Sequence, residues 1–289
     1  DTIPNNMMMV LRAVFTLLLS GNAAAWAPRA PRRSLSPKTV SMASAYEGFM
    51  VKGSRKVDVF KTEKDISEGI ASMFLIAACV NIAQKGSFSV AIPSGSVVKA
   101  LGSLAGQMDF SKVHVFFTND KVGGAQPSYE GALADFIEPC GIPMKNVYQV
   151  PPNVDKNRAA AMYSNTIEKS SVAEGGSLDL IVLGTGADGH CASLFPNTPE
   201  IEGSGTVLAK QGEDAVTFSL GTINKAKKVL ISAAGPGRAA MVYEALVKGK
   251  DSGMPTGMIG NQDTTWLVDN NSVSEYRDEF GTKESMAAL

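Results

Sequence analysis

Short apolar runs that alternate with longer, helix-like stretches constrain this chain more than any other feature. Phe88–Ile92, Val113–Thr118, Asp179–Leu183, Val229–Ala233 and Thr265–Val268 are each four to six residues long and rich in β-branched or aromatic side chains. Runs this short and this continuously apolar fit strands buried on both faces. Between them, Ile66–Gln84, Val97–Ala105, Tyr129–Glu138, Asn157–Glu168 and Gly237–Val247 carry helical patterns. Val57-Asp58-Val59-Phe60 alternates instead, as an edge strand should. Strand–helix alternation predicts an α/β architecture: a mostly parallel, Rossmann-like sheet with helices on both faces. Neither an internal repeat nor an interdomain linker interrupts residues 46–289, so a single domain is expected there.

Composition narrows the function classes. With 27 basic and 28 acidic residues, the chain has no charge surplus for a broad basic surface, so nucleic acid is not an expected partner. Three cysteines, Cys79, Cys140 and Cys191, lack CxxC spacing, and there are two histidines. A structural zinc site and a disulfide framework are therefore not expected. Cys191 reads as a small buried residue at a turn rather than a nucleophile.

Residues 1–45 are a different kind of sequence. No acidic residue occurs from Thr2 to Tyr46, while Arg12, Arg29, Arg32, Arg33 and Lys38 are basic. An apolar run, Ala13–Leu19, leads to Ala23-Ala24-Ala25-Trp26, and a Pro-, Arg- and Ser-rich stretch follows. The first part fits a signal peptide better than a membrane span, and the second a transit peptide. Together they resemble the two-part plastid-targeting presequences of algae with complex plastids. A mature stromal protein without a membrane anchor is the expectation.

In open α/β sheets ligands bind beyond the carboxyl ends of the strands. Four loops fall on that predicted edge: Pro93-Ser94-Gly95-Ser96, Asn119-Asp120-Lys121, Gly184–His190 and Gly235-Pro236-Gly237-Arg238. Two carry a cation, two are glycine-rich, and helix N-termini with free N–H groups favour a phosphate. The histidines differ in setting. His114 alternates with apolar residues inside a strand, whereas His190 follows a glycine-rich turn able to present it to a cleft.

The segment Gly184-Thr185-Gly186-Ala187-Asp188-Gly189-His190-Cys191-Ala192-Ser193-Leu194-Phe195-Pro196 resembles the 6-phosphogluconolactonase signature G-M-G-x-D-G-H-x-A-S-L-F-P. Ser94-Gly95-Ser96, Phe116–Val122, Ile142-Pro143 with Asn146-Val147-Tyr148, Gly235–Arg238 and Thr265–Asp269 are similar to further segments of that family, over about Val51–Glu275. The resemblance implies the fold of the sugar-phosphate isomerases and hydrolysis of 6-phospho-D-glucono-1,5-lactone in the oxidative pentose phosphate pathway, without metal or organic cofactor. It makes His190 the general base and acid on water and gives Asp188 an orienting or turn-shaping role. Substrate contacts fall on Ser94, Gly95, Ser96, Asp120, Lys121, Gly184, Gly186, Gly189 and Arg238, with N–H groups of the glycine turn facing the oxyanion. Functional coupling to glucose-6-phosphate dehydrogenase, which supplies the lactone, is a further implication.

The chain departs from the family pattern at several points. Asn119-Asp120-Lys121 stands for D-E-R, Pro93 replaces a residue that would donate an N–H, Pro127-Ser128-Tyr129 stands for S-N-Y, and Arg238 stands for lysine. Two other readings therefore stay open. One is an aminosugar-6-phosphate isomerase or deaminase, which typically continues the motif with I-A-F-N-E. The other is a divergent, non-catalytic sugar-phosphate-binding protein.

Overall fold

Every apolar run above becomes a strand of one sheet. The structure, a computed structural model, describes residues 47–51, 55–260 and 263–280. In chain order the first elements are β1 (Glu47–Val51), β2 (Arg55–Phe60), α1 (Glu63–Lys85), β3 (Phe88–Ile92), α2 (Ser96–Gly102), β4 (Val113–Phe117), β5 (Asn119–Lys121), α3 (Pro127–Ala132) and β6 (Val147–Tyr148). They are followed by α4 (Lys156–Glu168), β7 (Leu180–Gly184), β8 (Val207–Ala209), β9 (Ala215–Phe218), α5 (Leu220–Lys225), β10 (Val229–Ala233), α6 (Ala239–Lys248), β11 (Thr264–Asp269) and α7 (Ser274–Phe280). The described residues all fall in one compact unit. The expected presequence, residues 1–45, lies outside them.

The main sheet has the order β1-β2-β11-β10-β7-β3-β4-β6. β1 runs antiparallel to β2, and every other pairing in this sheet is parallel. From β3 the chain builds outward through β4 to β6, then returns so that β7 pairs with the other side of β3 and leads away through β10 and β11. The order reverses between β3 and β7, the place where an α/β sheet opens a crevice. All residues of β3, and Leu180–Leu183 of β7, are buried, as strands covered on both faces must be.

Two features depart from the sequence-based expectation. β2 is not an edge strand: β1 flanks it on one side and β11 on the other. Asp58 interrupts its apolar run and mimics amphipathic alternation, yet that side chain is buried and neutralised by Lys56 at 3.0 Å. The second is a small antiparallel sheet, β5-β9-β8, that starts at the carboxyl end of β4.

Packing explains the longest helix. The α1 N-terminus is fixed by a capping box between Thr62 and Asp65, and Gly86, at φ +79°, ends it in the left-handed region. Ile66, Ile70, Phe74 and Ala78 repeat every four residues and are buried. Gly69 lets this face approach β2, since a Cβ there would lie 2.5 Å from the Phe60 ring.

At the amino end of the β3–β7 pair sits a charged node. The Asp179 carboxylate accepts from the Ser89 N–H at 2.8 Å and the Ser89 hydroxyl at 2.9 Å. Lys85 lies 2.8 Å and Lys227 3.1 Å from its two oxygens, and the side chain is fully buried. Burial opposes the charge, but Lys85, the Ser89 N–H and Lys227 outweigh it and hold the carboxyl below its ordinary value. A depressed carboxylate pKa contributes stability that is complete above the unfolded value, about 3.9, and is lost as pH falls through the folded one. Asp179→Asn is expected to lower stability at pH 7 by about 3 kcal/mol. Denaturant titrations should show the gap to the parent narrowing below pH ~4; a gap of constant size would mean that charge is not its cause.

Candidate active site

The loop after β7 folds back on itself. The Gly186 N–H donates to the His190 carbonyl at 3.0 Å, and the Gly189 N–H to the Gly186 carbonyl at 3.1 Å. Gly186 is dictated by crowding, because a Cβ there would lie 2.1 Å from His190 Nδ1 and 2.5 Å from Asp188 Oδ1. Gly189 takes φ +81°, a conformation that glycine adopts without strain, and Met254 fills the space a side chain would need. Its carbonyl accepts from the Thr256 N–H at 3.2 Å and the Thr256 hydroxyl at 3.0 Å, which fastens the turn to the segment after α6.

This turn brings the two predicted catalytic side chains together. His190 Nδ1 lies 2.6 Å from Asp188 Oδ1, and the same oxygen accepts the His190 backbone N–H at 3.1 Å. An ionised carboxylate only accepts, so Nδ1 is assigned as the donor, leaving Nε2 as the basic nitrogen. The slight burial of Asp188 works against its charge, yet the backbone N–H and imidazole of His190 hold the carboxyl below its usual range. Both side chains keep solvent access, 37% for His190 and 52% for Asp188. The Phe195 ring packs against the imidazole, with centroids 4.6 Å apart.

Beyond His190 the backbone is strained. Ala192, Ser193 and Asn197 have φ of 49°, 60° and 60°, values that cost roughly 1–3 kcal/mol each outside glycine. The small sheet restrains this stretch. Asn119 Nδ2 donates to the Ser193 hydroxyl at 2.9 Å, and the Thr217 hydroxyl donates to the Ala192 carbonyl at 2.5 Å. The asparagine that replaces the family's aspartate thus holds the loop.

At the β3–β7 crevice lies an open cleft whose walls include Ser96, Gly184, Thr185, Ser232 and Arg238, with Glu63 and Ser67 of α1 opposite. Predicted residues from three loops, Ser96, Gly184 and Arg238, therefore meet in one place. Arg238 donates through Nε to the Thr185 carbonyl at 2.9 Å and through Nη1 to the Ala234 carbonyl at 2.7 Å, which aligns the guanidinium along the wall. Ser94 and Gly95 are exposed at the end of β3, and Gly95, at φ +89° and ψ −148°, adopts a conformation nearly restricted to glycine. His190 is not part of this wall; it stands on the turn that leaves it.

The sequence profile of the family described as "Glucosamine-6-phosphate isomerases/6-phosphogluconolactonase" matches residues 61–267. The chain belongs to this family. Among curated proteins, a rice relative (Oryza sativa subsp. indica) named "Probable 6-phosphogluconolactonase 3, chloroplastic" is 27% identical over 243 residues, 75% of this chain and 74% of the relative. The crystal structure of the 6-phosphogluconolactonase from Thermotoga maritima superposes with TM-score 0.64 at 20% identity, covering 74% of this chain and 99% of that one. A monomeric glucosamine-6-phosphate deaminase superposes with TM-score 0.63 at 18% identity over 75% of this chain and 98% of that one. The fold is thus common to both chemistries of the family.

Several site expectations need correction within this family frame. Asp120 does not face the cleft: it is 2% exposed, and its carboxylate accepts from the N–H groups of Lys121, Ser128 and Tyr129 at 2.9–3.2 Å. Strand alternation turns it inward while Asn119 and Lys121 point the other way. Burial pushes its carboxyl up despite those three donors. Lys121 is exposed on β5 and does not line the cleft with Arg238. The Gly186 and Gly189 N–H groups are spent inside the turn, so they are not oxyanion donors. Cys191, by contrast, is the fully buried residue the sequence suggests, and burial pushes its thiol up to about 12. His114 is engaged with the Tyr148 hydroxyl at 3.2 Å within the sheet. Glu63, Ser67, Thr185 and Ser232 were not foreseen; Thr185, set between two glycines of the motif, carried the clearest signal. Because Gly186 has no room for a side chain, Gly186→Ala is expected to turn the imidazole away from Asp188 while the sheet stays intact. A crystal structure of the variant checks this, and an unmoved His190–Asp188 contact would refute the crowding argument.

Proposed function

We propose that this family member hydrolyses 6-phospho-D-glucono-1,5-lactone to 6-phospho-D-gluconate, the second step of the oxidative pentose phosphate pathway. The observation that carries the reading is the 2.6 Å His190–Asp188 contact on a solvent-accessible turn beside a cleft lined by Arg238 and Ser96. The lactonase names of the curated relatives and the Ala192-Ser193-Leu194-Phe195-Pro196 continuation of the motif support it over aminosugar chemistry.

The geometry supports the following chemistry. Asp188 orients the ring and balances the charge that forms on it, so Nε2 faces the reacting water. Nε2 takes a proton as the water oxygen bonds to the lactone carbonyl carbon. The tetrahedral intermediate then collapses, the bond from that carbon to the ring oxygen breaks, and the imidazolium returns its proton to the departing oxygen. The substrate phosphate rests against the Arg238 guanidinium and Ser96, a charge-assisted contact that leaves the lactone end toward the turn.

His190→Ala is expected to lower turnover of the purified protein by about 10²–10⁴-fold, measured as 6-phosphogluconate formation above the spontaneous background. Glucosamine 6-phosphate should not be deaminated. An unchanged rate in His190→Ala would remove this side chain from the mechanism, and aminosugar turnover would overturn the substrate assignment.

Residues 1–45 are proposed to direct the protein to a plastid, a reading supported by their composition and by the chloroplastic names of rice relatives. Fusing residues 7–45 to a fluorescent reporter should give plastid fluorescence; a cytosolic signal would sink the assignment.

A further inference from the structure

We propose that Lys210 is a positioning residue for His190 and acts through the ring of Phe195. The proposal rests on the reading of His190 as the reacting base and adds a residue that touches neither substrate nor imidazole.

Lys210 is the anomaly that prompts it. The residue is 4% exposed, although a lysine this deeply buried normally needs strong compensation. Among the described residues its ion-pair partner is Glu213 at 3.0 Å, a carboxylate that is 54% exposed, and the buried Glu200 carboxylate adds a longer-range attraction. The half-solvated Glu213 pair contributes little by itself. An aromatic face also meets the ammonium: Nζ lies over the Phe195 ring, 4.7 Å from its centroid. A desolvated cation at that distance is attracted by the ring quadrupole and restrains the ring in return.

Phe195 is shared between this cation and the catalytic turn. Its centroid is 4.6 Å from that of His190, with the planes tilted by 34°. The imidazole is therefore held at one edge by Asp188 and across its face by a ring that Lys210 pins. The lysine itself starts from a fixed backbone. Its N–H donates to the Ala215 carbonyl at 2.9 Å, and its carbonyl accepts from Lys156 Nζ at 2.8 Å. The next N–H, that of Gln211, donates to the buried Glu200 carboxylate at 2.5 Å. The same β8–β9 hairpin carries Thr217, which grips the Ala192 carbonyl. One hairpin thus restrains the catalytic loop through its backbone at residue 192 and through a side chain at residue 195.

The consequence is kinetic. During turnover Nε2 must stay within reach of the attacking water and then of the departing ring oxygen, and small misplacements of such a group are heavily penalised. Lys210 does not line the cleft, so its removal should leave substrate binding alone. Lys210→Met keeps the length and packing of the side chain and removes the charge. We expect it to lower kcat about fivefold with KM unchanged. Lys210→Arg, which retains a cation for the ring, should restore kcat. Phe195→Leu should also lower kcat, and adding Lys210→Met to it should lower kcat no further.

A second readout does not depend on activity. With only two histidines in the chain, the His190 and His114 ring resonances are separable by NMR. Lys210→Met should shift those of His190, through the changed ring current of Phe195, and leave those of His114 in place. The proposal is overturned by unmoved His190 resonances, by parallel changes in kcat and KM, or by additive losses in the double variant. Absence of lactone turnover in the parent protein would instead sink the functional reading, and the NMR comparison would still decide the role of Lys210.

Discussion

The pairing of β3 with β7 is the contact on which the site depends. The strands are about 90 residues apart in the chain, and their register covers just Val90 with Leu180 and Ala91 with Ile181. So short a ladder would be weak alone. Asp179 extends it below, where its carboxylate takes both polar groups of Ser89 and is matched by Lys85 and Lys227. Above it the two chains diverge into different loops, and the cleft opens between Ser96 and Gly184. A charged clamp at one end of a strand pair thus sets the position of the cleft at the other.

The turn that carries His190 shows the opposite economy. Gly186 exists to leave room for the His190–Asp188 pair, and three non-glycine residues after it occupy the left-handed region. Strain of that kind persists only where the surroundings over-determine it. Here Asn119, Thr217 and Thr256 supply hydrogen bonds from three separate parts of the chain. The small antiparallel sheet is therefore part of the site, although it contributes no residue to the cleft wall.

What could be read from the sequence follows from these forces. β3 and β10 were legible to the residue, because strands buried on both faces are apolar throughout. His190 and Asp188 were legible because the glycines around them restrict where the backbone can go. The small sheet was not legible: β5 and β8 are three residues long, and β5 is polar throughout while β8 is apolar throughout, so neither shows a strand's alternation. Missing β5 had a direct consequence, since only a strand alternation explains why Asp120 is buried between exposed or half-exposed neighbours. Missing the β8–β9 hairpin hid Lys210, which lies 15 residues beyond Phe195 and meets it only in the fold.

The departures from the family pattern then sort by the work each position does. Asn119 donates an amide N–H to Ser193, so exchanging a carboxylate for an amide there changes a loop anchor and leaves the reacting groups untouched. Arg238 keeps a cation at the cleft, and its planar fork spends two donors on the Thr185 and Ala234 carbonyls, a geometry that a lysine ammonium cannot copy. That double tether matters because the carbonyl of Thr185 belongs to the turn that carries His190. Arg238 at the cleft and the His190 imidazole are thereby joined through one short stretch of backbone, which fixes the distance between the two groups that the proposed function assigns to phosphate and base.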